Sequence, residues 1–127
     1  MKATPRGEIT IQSLAMPADT NANGDIFGGW LVSQMDLAAG ALAKKLSKSR
    51  AATVAINSMT FLKPVHVGDL VSCHVEVEKI GKTSMTIAVE VWSEKLATGE
   101  HYKVTEGTFV FVAIDDEGNP REVNATS

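Results

Sequence analysis

Residues 24–45 read GDIFGGWLVSQMDLAAGALAKK, a largely apolar stretch that opens near a glycine pair and carries one carboxylate, Asp36, at its middle. From about Gly28 to Lys48, the residues Leu31, Met35, Leu42 and Leu46 recur on one helical face. Lys44, Lys45 and Lys48 gather at the far end, where positive charge complements the helix dipole. A segment this poor in polar residues predicts a long helix buried on most of its sides. An ionised carboxylate is costly to bury, so Asp36 asks for either a partner or a task.

The flanking sequence has a different period. Before the helix, EITIQSLA (8–15) alternates as a strand does, and MPADTNANGD (16–25) is dense in turn formers. After it, Val71, Cys73, Val75 and Val77 alternate with Ser72, His74, Glu76 and Glu78, and Met85, Ile87, Val89 and Val91 repeat the pattern beyond KIGKTS. AATVAINSMTFLKP (51–64) and HYKVTEGTFVFVAID (101–115) read as two more strands, with HVGD, IGKT and ATGE as connections. One strand, one long helix and four consecutive strands predict an α+β domain, a curved antiparallel sheet wrapped around one central helix. A single domain over 1–127 is expected, with its core at about 8–116 and a flexible tail after the polar turn DDEGNPRE.

Composition narrows the function. The 127 residues are 44% hydrophobic and 21% charged, ordinary for a globular chain, and a net charge of −3 gives no electrostatic reason to expect nucleic acid. No run reaches the length of a membrane span. Cys73 stands alone and cannot form an internal disulfide, and no positively charged start leads into an apolar export segment, so a reducing, cytoplasmic location is expected. Asn124-Ala125-Thr126 matches the glycosylation pattern, which in such a location is coincidence. His66, His74 and His101 are scattered, with no ligand cluster around Cys73, so no metal site is expected. The histidines read as ordinary surface or loop residues, His74 on the polar side of its strand.

Gly28 and Gly29 fall where the helix begins, so their N–H groups belong to the set that no intrahelical carbonyl satisfies. Two readings stay open: the glycines turn the loop sharply into the helix, or they let a ligand carbonyl approach the backbone as an oxyanion would. Gly29, Ser33, Asp36, Gly40 and Ala43 form a stripe of mostly small side chains, leaving room for a second protomer or a narrow ligand. Asp36 either accepts hydrogen bonds from loop N–H groups or a nearby hydroxyl, or acts on that ligand. It lies roughly 12 Å from Gly28 along one helix at ~1.5 Å per residue. If the two cooperate, a two-fold dimer placing Gly28 of one subunit opposite Asp36 of the other is the simplest arrangement.

Taken together, MPADTNANGDIFGGWLVSQMDLAAGALAKK, TVAINSMTFLKPVHVGDLV, KIGKTSMTIAVEVW and VTEGTFVFVAID resemble the hotdog-fold acyl-CoA thioesterases, and more narrowly the bacterial YciA-like acyl-CoA hydrolases. The resemblance covers roughly residues 8–116. It implies a helix wrapped by an antiparallel sheet, a homodimer as the minimal unit, and assembly into tetramers or hexamers. The family's helix carboxylate falls on Asp36, its oxyanion donors on Gly28 and Gly29, and its polar pre-helix loop on Asn23 and Asp25. Gly81-Lys82-Thr83-Ser84 matches the loop that in similar enzymes runs beside the nucleotide of coenzyme A. The implied reaction is hydrolysis of short to medium acyl-CoA thioesters, with Asp36 as general base or nucleophile and with no cofactor.

Within that expectation Lys82, Thr83 and Ser84 are the first candidates for coenzyme A, with Lys63 and Arg50 as further cations. Phe27, Trp30, Met59 and Phe61 are candidate walls for the acyl chain, and each is equally suited to a core. Ser33 either bonds Asp36 or faces solvent. A hotdog dehydratase is disfavoured, because similar enzymes place a histidine where this chain has Asp25-Ile26-Phe27. A noncatalytic acyl-CoA sensor or structural dimer is the alternative from another class.

Overall fold

Alternation in the second half of the chain becomes four long strands. The computed structural model describes residues 4–124, so Ala125 and Thr126 of the glycosylation-like triplet lie outside the described residues. The elements are β1 (Glu8–Leu14), a 3₁₀ turn (Pro17–Asp19), α1 (Gly28–Ser47), β2 (Arg50–Phe61), β3 (Leu70–Ile80), β4 (Ser84–Glu94) and β5 (His101–Ile114). The strands form one antiparallel sheet in the order β1-β3-β4-β5-β2. Met85, Ile87, Val89, Val91, Phe109 and Phe111 point to the concave face and are buried. There they meet α1 through Leu31, Met35, Ala38, Ala39 and Ala43, none more than 3% exposed. This is the expected sheet wrapped around one helix.

Small side chains bring the helix close. A Cβ on Gly40 would sit 3.5 Å from the Phe111 ring. The stripe of small residues therefore packs, at Gly40 and Ala43, against the chain's own sheet, where the sequence suggested room for a second body. The opposite departure occurs on the other side: Leu37 is 60% exposed and Ala41 is also open, so α1 is not buried on most sides within one chain. The helix starts without a side-chain cap and ends at Ser47, capped by Lys48, whose left-handed backbone donates its N–H to the Lys44 carbonyl at 2.8 Å.

Two terminal segments cover surfaces that the sequence left to solvent. Residues 4–7 cross the convex face: the Arg6 N–H donates to Glu90, and its guanidinium pairs with Glu76 and Glu78. His74, read as lying on a polar face, is buried beneath them with Nδ1 3.3 Å from the Gly7 carbonyl oxygen. Gly7 has φ +90°, and any Cβ there would collide with the Val75 carbonyl. At the other end the expected flexible tail is tied down through residue 123. Arg121 N–H donates to Ala113 O and Val123 N–H to Lys82 O, each at 2.9 Å, and the Val123 side chain is buried.

Two outcomes follow from this packing. Gly40→Ala adds only an ordinary contact to Phe111 and removes a helix-interior glycine, so it is expected to hold or raise the Tm, by up to about 1 kcal/mol of stability. Gly40→Leu should lower it. Burial pushes the Cys73 thiol up to about 12. It is expected to stay silent towards a thiol-reactive dye at pH 8 until the protein is denatured. The thiol's folded value lies above its unfolded one, so the associated stability is complete below about pH 9 and is lost as pH rises towards 12.

Candidate active site

The loop before α1 is organised by Asn21. Its Oδ1 accepts the N–H groups of Asn23 (2.9 Å) and Asp25 (3.1 Å), and its own N–H donates to the Asp25 carbonyl at 2.7 Å. Ile26 N–H then donates to Val65 O, and Phe27 N–H to Asp19 O, both at 3.0 Å. These bonds satisfy the N–H groups of Asp25, Ile26 and Phe27 and leave Gly28 and Gly29 next in line. Neither has an N–H acceptor among the described residues, and both glycines are exposed. A Cβ on Gly29 would meet nothing, and one on Gly28 would lie 3.5 Å from the Phe61 ring. Two free, parallel donors at the positive end of a helix dipole are suited to holding a developing negative charge.

Asp36 lies two turns further along, half-buried, and Thr53 Oγ donates to its Oδ1 at 2.6 Å. Thr53 is on β2, paired with Phe111, which turns its side chain towards the helix. A cleft of about 440 Å³ opens beside the carboxylate, bordered by Asp36, Gly40, Lys44, Thr53, Phe111 and Ile11. Sequence reading allowed a nearby hydroxyl but did not identify Thr53, 17 residues away. Ser33 is not a partner of Asp36: its hydroxyl donates to the Trp30 carbonyl at 2.7 Å.

The other expected site residues divide into groups. The Asn23 side chain is exposed and makes no hydrogen bond among the described residues, so in this loop Asn21 holds the place of structural importance. Asp25 lies 3.4 Å from Nδ1 of His66, a histidine read from the sequence as ordinary. Phe27 and Phe61 are about half exposed around the helix start, available to line an entrance. Met59 faces inward, its Sδ 3.8 Å from the Thr105 hydroxyl and against Gly107, and Trp30 packs on the core; both have the core role that the sequence also allowed.

The candidate cations are not brought together within one chain. Lys82 and Thr83 form the tip of the β3–β4 hairpin, closed by Gly81 N–H donating to Ser84 O at 2.8 Å. Lys82 Nζ is 3.7 Å from Glu122. β2 runs antiparallel to α1, with Arg50 following the helix end and Phe61 at its start, so Lys63 lies beyond the helix start and the Lys82 hairpin beyond its end. Lys63 stands over the Tyr102 ring at 5.3 Å, and Arg50 donates to the Asp116 carbonyl at 3.4 Å. No group of three His, Cys, Asp or Glu side chains among the described residues is placed to hold a metal ion.

Comparison with known proteins gives this geometry its lineage. The model of the thioesterase superfamily matches residues 23–100, a span from the pre-helix loop to the β4–β5 turn. The acyl-CoA thioester hydrolase YciA of Salmonella typhimurium is 53% identical over 124 residues, covering 95% of this chain and 93% of that protein. YciA of Escherichia coli is 52% identical over 120 residues, covering 92% and 91%. Among solved structures, the hexameric thioesterase of Yersinia pestis superposes with a TM-score of 0.92 at 51% identity, covering 97% of this chain and all of that one. A hexameric broad-specificity acyl-coenzyme A thioesterase, solved with one aspartate replaced by alanine, gives a TM-score of 0.93 at 47% identity, covering 96% and 90%. The helix-in-sheet architecture, the glycine-opened helix and these likenesses agree: the chain belongs to the thioesterase superfamily, with the hotdog fold, on the branch of the YciA acyl-CoA thioester hydrolases.

Proposed function

We propose that the protein hydrolyses acyl-CoA thioesters to a free carboxylic acid and coenzyme A, at a site that two subunits complete together. The observation that carries this reading is the pair of unsatisfied N–H groups at Gly28 and Gly29 on the same helix as the Thr53-bonded Asp36. At ~1.5 Å per residue the two features stand about 12 Å apart, too far to act on one carbonyl within a chain.

The edge of the sheet supports the two-fold arrangement. β2 is an outer strand of 12 residues, and Val54, Ile56, Phe61 and the adjacent Leu62 are each more than 40% exposed on it. Such an edge calls for cover. An antiparallel β2–β2 contact with its axis near Asn57 sets Thr53 opposite Phe61 of the partner subunit. Thr53 holds Asp36, and Phe61 lies against Gly28, so the same contact brings each carboxylate to the other subunit's helix start. The hexameric relatives support further assembly of such dimers.

In this arrangement the thioester oxygen points at the Gly28 and Gly29 N–H groups, which stabilise the charge that develops on it. Asp36 of the other subunit activates a water or attacks the carbonyl carbon itself. Thr53 fixes the carboxylate's rotamer, and its second oxygen has no hydrogen bond among the described residues. Asn21 joins Asn23 as a proposed loop residue beside the chemistry. In the acyl-CoA hydrolase of Staphylococcus aureus, about 30% identical with a TM-score of 0.83, an asparagine and an aspartate have been replaced singly by alanine. Those two residues are spaced in the chain as Asn21 and Asp36 are here. That enzyme was also solved with butyryl coenzyme A, which supports short acyl groups among the substrates. Lys82, with the Thr83 and Ser84 donors, is the proposed contact for the coenzyme A phosphates, and Phe27 and Phe61 line the entry. A cytoplasmic location belongs to the same reading, supported by the lone, buried Cys73.

Release of free thiol from a panel of acyl-CoAs tests the reading. Wild type is expected to turn over, and Asp36→Asn to lose about 10²-fold or more in kcat with little change in Tm. Thr53→Val should cost about three- to tenfold by loosening the carboxylate. Tight binding of acyl-CoA by wild type without turnover would instead establish the noncatalytic sensor. Light scattering is expected to show an even number of subunits.

A further inference from the structure

Asp69 is a buried carboxylate, 5% exposed, that the reaction does not use. Its Oδ2 accepts the Ser93 hydroxyl at 2.9 Å, the His66 backbone N–H at 3.1 Å and the Tyr102 hydroxyl at 3.4 Å, and Lys95 Nζ lies 3.6 Å from its Oδ1. So many partners from β4, β5 and the turn between them fix the 66–69 turn rigidly to the sheet. The other side of that turn faces the pre-helix loop. Asp25 and His66 form an antiparallel bridge, Ile26 N–H donates to Val65 O at 3.0 Å, and His66 Nδ1 lies 3.4 Å from Asp25 Oδ1.

We infer that His66 is a positioning residue: held from behind by Asp69, its imidazole fixes Asp25 and so sets the aim of the Gly28 and Gly29 N–H groups three and four residues later. The inference rests on the proposed thioesterase reading. Asp25 is the joint between two supports. Its N–H and carbonyl are bound by Asn21, and its side chain faces His66, so releasing the imidazole removes one of the two supports and lets the loop from Asp25 to Gly29 move about the Asn21 bonds that remain. A group acting this way alters the geometry of the transition state more than the hold on coenzyme A, so its removal lowers kcat and leaves KM nearly unchanged. The pair is half exposed, at 50% and 38% of the two side chains, which limits the size of the effect.

The test compares wild type, His66→Ala, His66→Asn, Asp25→Ala and the double alanine variant, by acyl-CoA hydrolysis and by amide hydrogen exchange over residues 21–30. His66→Ala is expected to lower kcat about three- to fivefold, equivalent to up to about 1 kcal/mol, with KM within about twofold and the Tm nearly unchanged. Exchange over 21–30 should quicken. His66→Asn places an amide donor where Nδ1 stood and should recover most of the loss. In the Asp25→Ala background, His66→Ala should have no further effect. Equal kcat and equal exchange in wild type and His66→Ala would overturn the inference, as would an Asn variant no better than Ala, or losses that multiply in the double variant. If wild type releases no coenzyme A, the thioesterase reading fails on its own; unchanged exchange over 21–30 in His66→Ala separately removes the positioning role.

Discussion

The close approach of α1 to the concave sheet governs everything else in the molecule. Ala38, Ala39, Gly40 and Ala43 present almost no side chain to β4 and β5, so the helix settles against Phe111, Met85 and Ile87 with Met35 wedged beside it. Interiors packed this tightly allow little sliding. Once the helix is fixed against the sheet, its residues meet β2 at set points: Asp36 at Thr53 and Gly28 at Phe61. A bulky side chain at Gly40 would lift the helix and move both ends of the site together.

Rigidity is also the reason for placing the proposed site between two subunits. A helix cannot bend its first turn back to its third, so donors and carboxylate on one rod stay about 12 Å apart. In the proposed dimer that constraint is met at the edge the sheet leaves open. β2 is long and partly apolar, and antiparallel pairing about Asn57 would cover it while exchanging helix starts between protomers. In the proposed dimer, the strand that looks least finished in a single chain is thus the one through which the chemistry is assembled.

Much of this was legible in the sequence, and what escaped it has one cause. The helix was read from Gly28 to about Lys48 and ends at Ser47, with Lys48 as its cap, because apolar period and terminal lysines are local signals. The alternation of β3 and β4 located those strands for the same reason. Thr53, His66 and Asp69 were missed because each acquires its meaning from a contact far away in the chain, with Asp36, Asp25 and Ser93 respectively. Asn21 and Asn23 stand in one turn-forming run, and only the folded loop shows that it is the Asn21 amide that turns inward to bind the backbone. Covering of the convex face by residues 4–7 and of the hairpin by Val123 left no periodic trace at all.

Subunit complementation tests the shared site most directly. Gly28→Pro removes one oxyanion donor at a helix position that tolerates proline, and Asp36→Asn removes the carboxylate; each alone should be nearly inactive. When the two variants are mixed and allowed to exchange subunits, half of the dimers should be hybrids with one intact site each, restoring about a quarter of the wild-type rate. A mixture as inactive as its parents, with hybrid dimers demonstrated, would show that the donors and the carboxylate do not meet across the interface.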